Sequence, residues 1–367
     1  MKKTFAIILI SFLLSCSTDS ESESNNLLLE ESFDRQAMLV NLTENIIVPS
    51  LTILDSKLSD LRNKLDVFTS DTSIASLLSL RTSFVDAYKS WQYVEMFNIG
   101  KAEEIYYAQK MNVYPSNLDR IDSNTYKSDL DLDAGRNEFS AQGFPAVDFM
   151  LYGIAESDSE IISKFTEENG RYLSYLNTVI DKMISNTTLV LNDWIDNKTE
   201  FVNSFDNNAA SSLNMLVNDY VYYYEKGLRT NKFGIPAGRW ALKRSQNVEA
   251  FYAKTLSKTL ATEALTACRN FFTGTGLVSN QIQGESFKTY LEFLEESNEI
   301  SNEILNSFDN SKAKMELLQD NFYHIVENDN IKLLEVFQKL QEGVILLKTD
   351  MISIMDIGVD YMDADGD

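Results

Sequence analysis

Between two glycines, the run Gly143-Phe-Pro-Ala-Val-Asp-Phe-Met-Leu-Tyr-Gly153 places a single carboxylate, Asp148, among apolar residues. Proline suits the first position of a helix, so a helix starting near Pro145 sets Phe144, Asp148 and Leu151 at i, i+4 and i+7. That spacing turns the acid toward the core with its apolar neighbours. The alternative is a first-turn acid favoured by the helix dipole. A second carboxylate, Glu95, follows Tyr88 and Trp91 at i+7 and i+4 and closes an aromatic face, unless the helix has already left the core there and Glu95 is solvated. Convergence of Glu95 and Asp148 would make an acidic pocket in a helical bundle, a place where such folds hold metal. Oxygen ligands alone favour calcium, magnesium, manganese or ferric iron over zinc, and a carboxylate separation of about 4 to 6 Å would allow a shared cation.

Other chemistries are excluded by composition. His324 is the only histidine, so a His-rich zinc site, a Ser-His-Asp triad and a two-histidine metalloprotease site cannot be assembled within one chain. His324 itself reads as a structural histidine on a helix near Leu317 and Leu318. The closing Asp363-Ala-Asp365-Gly-Asp367 has the first spacings of a calcium loop but stops before its later glycine and glutamate, so it reads as a solvated acidic tail.

The elements that must position these residues are helices. Proline is scarce, with four residues in 367, and apolar spacings of three and four dominate. Leu51, Leu54, Leu58, Leu61 and Leu65 form one amphipathic face, with Pro49 upstream as a kink or break. A Ser/Thr/Asp cluster at 70–73 starts the next helix, whose face is Leu77, Phe84, Tyr88 and Trp91. From Gly100 to Gly143 the pattern breaks into a long loop with short helical pieces, including Tyr114-Pro115. Helical stretches follow at about 159–195 and 207–228, the latter carrying Tyr220 and Tyr222 to Tyr224. A glycine- and proline-punctuated loop, Phe233 to Gly238, comes next, with Arg229, Lys232, Arg239, Lys243 and Arg244 as a basic cluster in an acidic chain. Further helices are expected at about 247–273, 285–307 and 312–347, and the loose alternation of Ile352 to Tyr361 predicts a short strand.

The chain opens on Met1-Lys-Lys and an apolar run, Phe5 to Leu14, too short to span a bilayer, which reads as a secretory signal. It ends Leu13-Leu-Ser-Cys16, the pattern at which bacterial lipoproteins are cut and lipidated; acyl chains on Cys16 would hold the protein at a membrane. The polar residues after it read as a disordered tether. The resulting plan is a signal at 1–15, a tether at 16–30, one helical bundle at 31–198 and a second at 199–367 with a short acidic tail. With 32 basic and 55 acidic residues the chain carries −23, and loss of Lys2 and Lys3 with the signal leaves −25. Such a surface repels nucleic acid. Once Cys16 is lipidated, Cys268 is the only cysteine left, so stability rests on core burial and not on a disulfide.

Taken together, the Trp91-x3-Glu95 helix end, the Tyr114-Pro115 loop, the Gly143 to Gly153 segment, the FGIPAG loop and the terminal DADGD resemble the imelysin-like family over nearly all of the mature chain. The resemblance implies an all-α, two-bundle, envelope-located bacterial protein; the family is classed with metallopeptidases and associated with iron acquisition. Its GxHxxE signature falls here on Gly143, with Pro145 where the histidine belongs and Asp148 where the glutamate belongs. Both side chains of the motif have changed. With the anchor read at Cys16, the resemblance and its changed motif lead to the expectation of a non-catalytic, lipid-anchored outer-membrane protein, periplasmic or surface-exposed. It would bind a metal ion, an iron complex or an envelope partner in a groove between bundles near Glu95 and Asp148, with Trp91 and Arg239 alongside. A divergent metal-dependent peptidase and a structural lipoprotein are the alternative readings.

Overall fold

The computed structural model describes residues 32–359 apart from 207 and 283, and the chain from Asp34 onward forms one compact unit. The signal, Cys16, the tether and the DADGD tail lie outside the described residues. The first long helix, α1 (Arg35–Ser70), is continuous through a π turn at Thr43–Ile47. Pro49 therefore does not break it: the residue directly follows the π turn, where the Val48 N–H reaches back to the Thr43 carbonyl and the chain is wound more widely. Leu51, Leu54, Leu58, Leu61 and Leu65 are all fully buried. The helix is apolar and long enough to cross a membrane, but this face is spent on the core.

Ser73 caps α2 (Ile74–Trp91) in a reciprocal capping box with Ser76, which satisfies two otherwise orphaned amide groups. Leu77, Phe84, Tyr88 and Trp91 are buried along its inner face. Short helices at Lys101–Glu104, Tyr107–Met111 and Leu118–Thr125 occupy the expected long loop. The motif segment forms α3 (Gly143–Asp148), which runs on as a π turn, Phe149–Gly153. The expected stretch at 159–195 is two helices, Asp158–Thr166 and α4 (Arg171–Asn203), parted where Asn169 and Gly170 take positive φ. The helices α1, α2 and α4 pack together.

Beyond Asn203 the chain enters α5 (Ser212–Tyr222), which widens into a π-helix over Tyr223–Gly234. α6 (Ser257–Thr273), α7 (Glu299–Glu316) and α8 (Ile331–Ile345) pack with that element into a second group, and α6 also touches α2. Residues 248–256 are irregular and not the start of a helix. The tail departs from the expected strand. No strand is present among the described residues; Ile352–Ile354 is one helical turn. Met355 and Ile357 are buried alternately as a strand would bury them, but their partner is a side chain. The Asn214 amide donates to the Gly358 carbonyl at 3.0 Å and accepts from its N–H at 2.9 Å. A side-chain amide thus satisfies backbone groups that a second strand would otherwise pair.

Candidate functional site

Two close approaches explain the glycines of the motif segment. Gly143 has φ +73°, and a Cβ there would lie 2.3 Å from the Met111 carbonyl oxygen and 2.5 Å from that of Lys110; only glycine fits both the conformation and the space. A Cβ on Gly153 would meet the Tyr252 ring at 2.0 Å. Between them Phe144 stacks on Tyr88, ring centres 4.5 Å apart and nearly parallel. Phe144, Asp148 and Leu151 are all buried, as their spacing predicts. Asp148 is the last residue of α3 and not a first-turn acid, so the helix dipole does not account for it.

Its partners come from the distant segment Ala250–Lys254. The Tyr252 N–H donates to Asp148 Oδ2 at 2.9 Å and the Ala253 N–H to Oδ1 at 2.9 Å. Ala250 and Lys254, which bracket this turn, both hold φ 53°, an uncommon conformation for residues with a Cβ, and the carboxylate clamps the turn between them. Burial pushes the Asp148 carboxyl up to about 7, against the two N–H donors that favour ionisation and with the nearby Glu249 charge reinforcing the rise.

Glu95 lies in the turn that follows α2 and belongs to a different constellation. Asn112 Nδ2 donates to Glu95 Oε1 at 3.0 Å and the Tyr223 hydroxyl to Oε2 at 3.3 Å. Lys232 Nζ stands 3.9 Å from Glu95 Oε2, 2.5 Å from Glu249 Oε2 and 2.8 Å from Gln92 Oε1. Glu249 Oε1 accepts from Gln92 at 3.2 Å and Asn112 at 2.9 Å, and Asn112 in turn accepts from the Tyr88 hydroxyl at 2.7 Å. The Glu95 side chain is 15 % exposed, those of Lys232 and Glu249 2 % each. Burial raises the Glu95 carboxyl above its ordinary value; Lys232 opposes the rise and Glu249 adds to it. Such a network is tolerable only because its members are mutually satisfied.

The two predicted carboxylates thus share no partner, and they line different cavities. Asp148 borders one of about 260 Å³ with Tyr114, Pro145, Phe251 and Tyr252. Glu95 borders one of about 430 Å³ with Asn98, Asn112, Asp219, Tyr222, Tyr223 and Lys226. Glu249, whose charge acts on both acids, connects them electrostatically. Neither Trp91 nor Arg239 lines these cavities. Trp91 is fully buried, edge-on to Tyr107 at 5.2 Å. Arg239 is exposed and lies over Phe337 and Trp240. The basic cluster disperses as well: Arg229 is buried over Phe337, Lys232 enters the acid network, and Lys243 reaches the Val326 and Glu327 carbonyls. His324 is exposed on the helix Phe322–Asp329, where Asn321 caps its backbone.

A metal ion does not suit these donors. Both Asp148 oxygens hold backbone N–H groups, and an ammonium stands among the oxygens of Gln92, Glu95 and Glu249. Among the described residues no group of three or more His, Cys, Asp and Glu is arranged to hold a metal. Sequence reasoning missed Gln92, Asn112, Tyr223 and Glu249 as members of the site. Lys232 was visible only as part of a basic cluster.

The family model Peptidase_M75, Imelysin, matches residues 47–345. Two solved structures share the architecture. One is an imelysin-like protein from Psychrobacter arcticum 273-4, with TM-score 0.69, 16 % identity, and coverage of 89 % of this chain and 97 % of that one. The other is a candidate iron-regulated protein A precursor from Parabacteroides distasonis ATCC 8503, with TM-score 0.68, 14 % identity, and coverage of 86 % and 94 %. At these identities the likeness speaks for the all-α fold. No curated protein matches the chain.

Proposed function

The chain belongs to the imelysin family, and from that premise we propose a lipid-anchored, non-catalytic cell-envelope binding protein. The observation that carries the reading is the state of the motif. Pro145 supplies no imidazole, and the Asp148 carboxylate is committed at both oxygens to the Tyr252 and Ala253 amides. The histidine that would act with the acid is gone, and the remaining acid serves as a clamp on the backbone turn at Tyr252 and Ala253.

The binding site in this reading is the cavity of about 430 Å³ beside Glu95. Its walls combine carboxylates, side-chain amides, tyrosines and one lysine, which suits a polar ligand of neutral or positive charge. The iron-regulated assignment of the Parabacteroides relative makes a neutral iron(III) trihydroxamate chelate the first probe. Anchoring rests on the Leu13-Leu-Ser-Cys16 sequence, with acyl chains buried in the outer membrane.

Titration calorimetry of the chelate against wild type, Tyr222→Ala and Lys226→Ala tests the site. Tyr222 and Lys226 are partly exposed and line the cavity, so a heat of binding weakened roughly tenfold in either variant is the expected result. No heat with the chelate would remove it as a ligand, and heat unaltered in both variants would move binding elsewhere. Chelator-sensitive cleavage of casein by the pure protein would overturn the non-catalytic reading.

A further inference from the structure

We propose that Lys232 is the resident cation of the buried acid cluster: its tethered ammonium occupies the position where Gln92, Glu249 and Glu95 converge, so this cluster takes an alkylammonium and not a metal ion. The geometry is that of a coordinated cation. Three side-chain oxygens from two distant segments, the turn after α2 and the stretch at Glu249, face one nitrogen, at 2.8 Å from Gln92 Oε1, 2.5 Å from Glu249 Oε2 and 3.9 Å from Glu95 Oε2. An ammonium carries three N–H donors and no acceptor; two of them are taken by Gln92 Oε1 and Glu249 Oε2, and Glu95 adds its charge from 3.9 Å.

The second oxygen of each carboxylate accepts from amides. Glu249 Oε1 holds the Gln92 and Asn112 amides, and Glu95 Oε1 holds Asn112. A hard divalent ion needs six or more oxygen ligands or waters, and these amide donors leave no room for that shell. Burial of a lone lysine would be very costly, while a lysine paired and hydrogen-bonded with a carboxylate is tolerated. Glu249 alone neutralises the ammonium at contact distance, and Glu95 at 3.9 Å adds a second, more distant carboxylate on the more exposed side, so the pair Lys232–Glu249 is already neutral without a metal.

The wider turn of Tyr223–Gly234 is what delivers the ammonium. Tyr223 and Lys232 lie at opposite ends of this π-helix, yet both reach Glu95 Oε2. The element thus presents a hydroxyl donor and a cation on the same face. Nothing in this inference depends on which molecule fills the cavity beside Glu95, and its readout is melting temperature instead of binding heat, so either reading can fail alone.

The test is chemical rescue. Lys232→Ala should lower the melting temperature by roughly 5 to 15 °C. Methylammonium or ethylammonium should restore part of that loss with saturation, while tetramethylammonium, which has no N–H, should not. Lys232→Met fills the same space without charge and should be destabilised but not rescued. Wild type should melt at the same temperature with EDTA, calcium, manganese or ferric ion. A metal-induced rise in wild type that Glu249→Gln removes would overturn the proposal. So would a folded Lys232→Ala that is as stable as wild type or indifferent to amines. Should Lys232→Ala not fold, the wild-type and Glu249→Gln metal series decides alone: metal-independent melting upholds the resident ammonium.

Discussion

Replacing Asp148 with asparagine should change the pH dependence of stability in a direction opposite to that of a salt-bridged aspartate. The buried carboxyl titrates near 7 in the folded chain against an ordinary 3.8. Between about pH 4 and pH 7 the folded state therefore holds a proton that the unfolded state has released. A group raised in this way favours the fold most at low pH, and that contribution is lost as pH climbs through the folded value. At 1.36 kcal/mol per unit, the full swing is on the order of 4 kcal/mol. Asparagine keeps the shape but turns an NH2 toward one of the two backbone N–H groups, a pH-independent loss of about 1 to 3 kcal/mol. Urea denaturation of both proteins, followed by tryptophan fluorescence in unit steps from about pH 4 to pH 8, isolates the difference. Wild type should lose its advantage over the variant as pH rises. If instead the advantage grows with pH, the Tyr252 and Ala253 amides outweigh desolvation and the carboxylate is the favoured form.

Two further outcomes follow from packing. Gly143→Ala should cost at least about 2 kcal/mol in chemical denaturation, because the left-handed φ and the two carbonyl oxygens under its Cβ belong to backbone that cannot yield; a loss below about 0.5 kcal/mol would mean that α3 can shift away from Met111. Cys268 is fully buried and its thiol is pushed well above the ordinary range by desolvation. In a chain beginning after Cys16 it should resist maleimide until the protein unfolds, and rapid labelling of the native protein would contradict its burial.

The parts of the fold that read directly from the sequence are those in which one element is enough. The leucine face of α1, the cap of α2 and the inward orientation of Asp148 depend on periodicity and local hydrogen bonding. The site is different, because its members are brought together by tertiary structure. The donors to Asp148 are backbone amides more than a hundred residues away, and a backbone N–H leaves no mark in a sequence. Tyr223 and Lys232 are nine residues apart. At 100° per residue an α-helix sets them on opposite faces, whereas a π-helix, with about 4.4 residues per turn, completes two turns and returns them to one face. A helix read as ending at 228 leaves Lys232 outside the element that carries Tyr223, and so parts the two groups that meet at Glu95. Helix-wide π winding has no recognised signature in residue type, so Lys232 appears only as an odd cation in an acidic chain.

The altered motif and the ammonium are two sides of one arrangement. Gly143 and Gly153 retain the close contacts that seat α3 against Met111 and Tyr252, so the segment keeps its place in the fold while its polar positions take other work. Glu249 lies immediately before the turn that Asp148 clamps, and it pairs with Lys232 on the side facing Glu95. One short segment thus carries the clamp of one acid and the counter-charge of the other. Loosening Asp148 would release Ala250 and Lys254 from their left-handed conformations and draw Glu249 away from Lys232, leaving a buried ammonium under-compensated. The two acids that never meet are coupled through that segment, and substitutions at Asp148 and Lys232 should therefore be non-additive despite the absence of any shared contact.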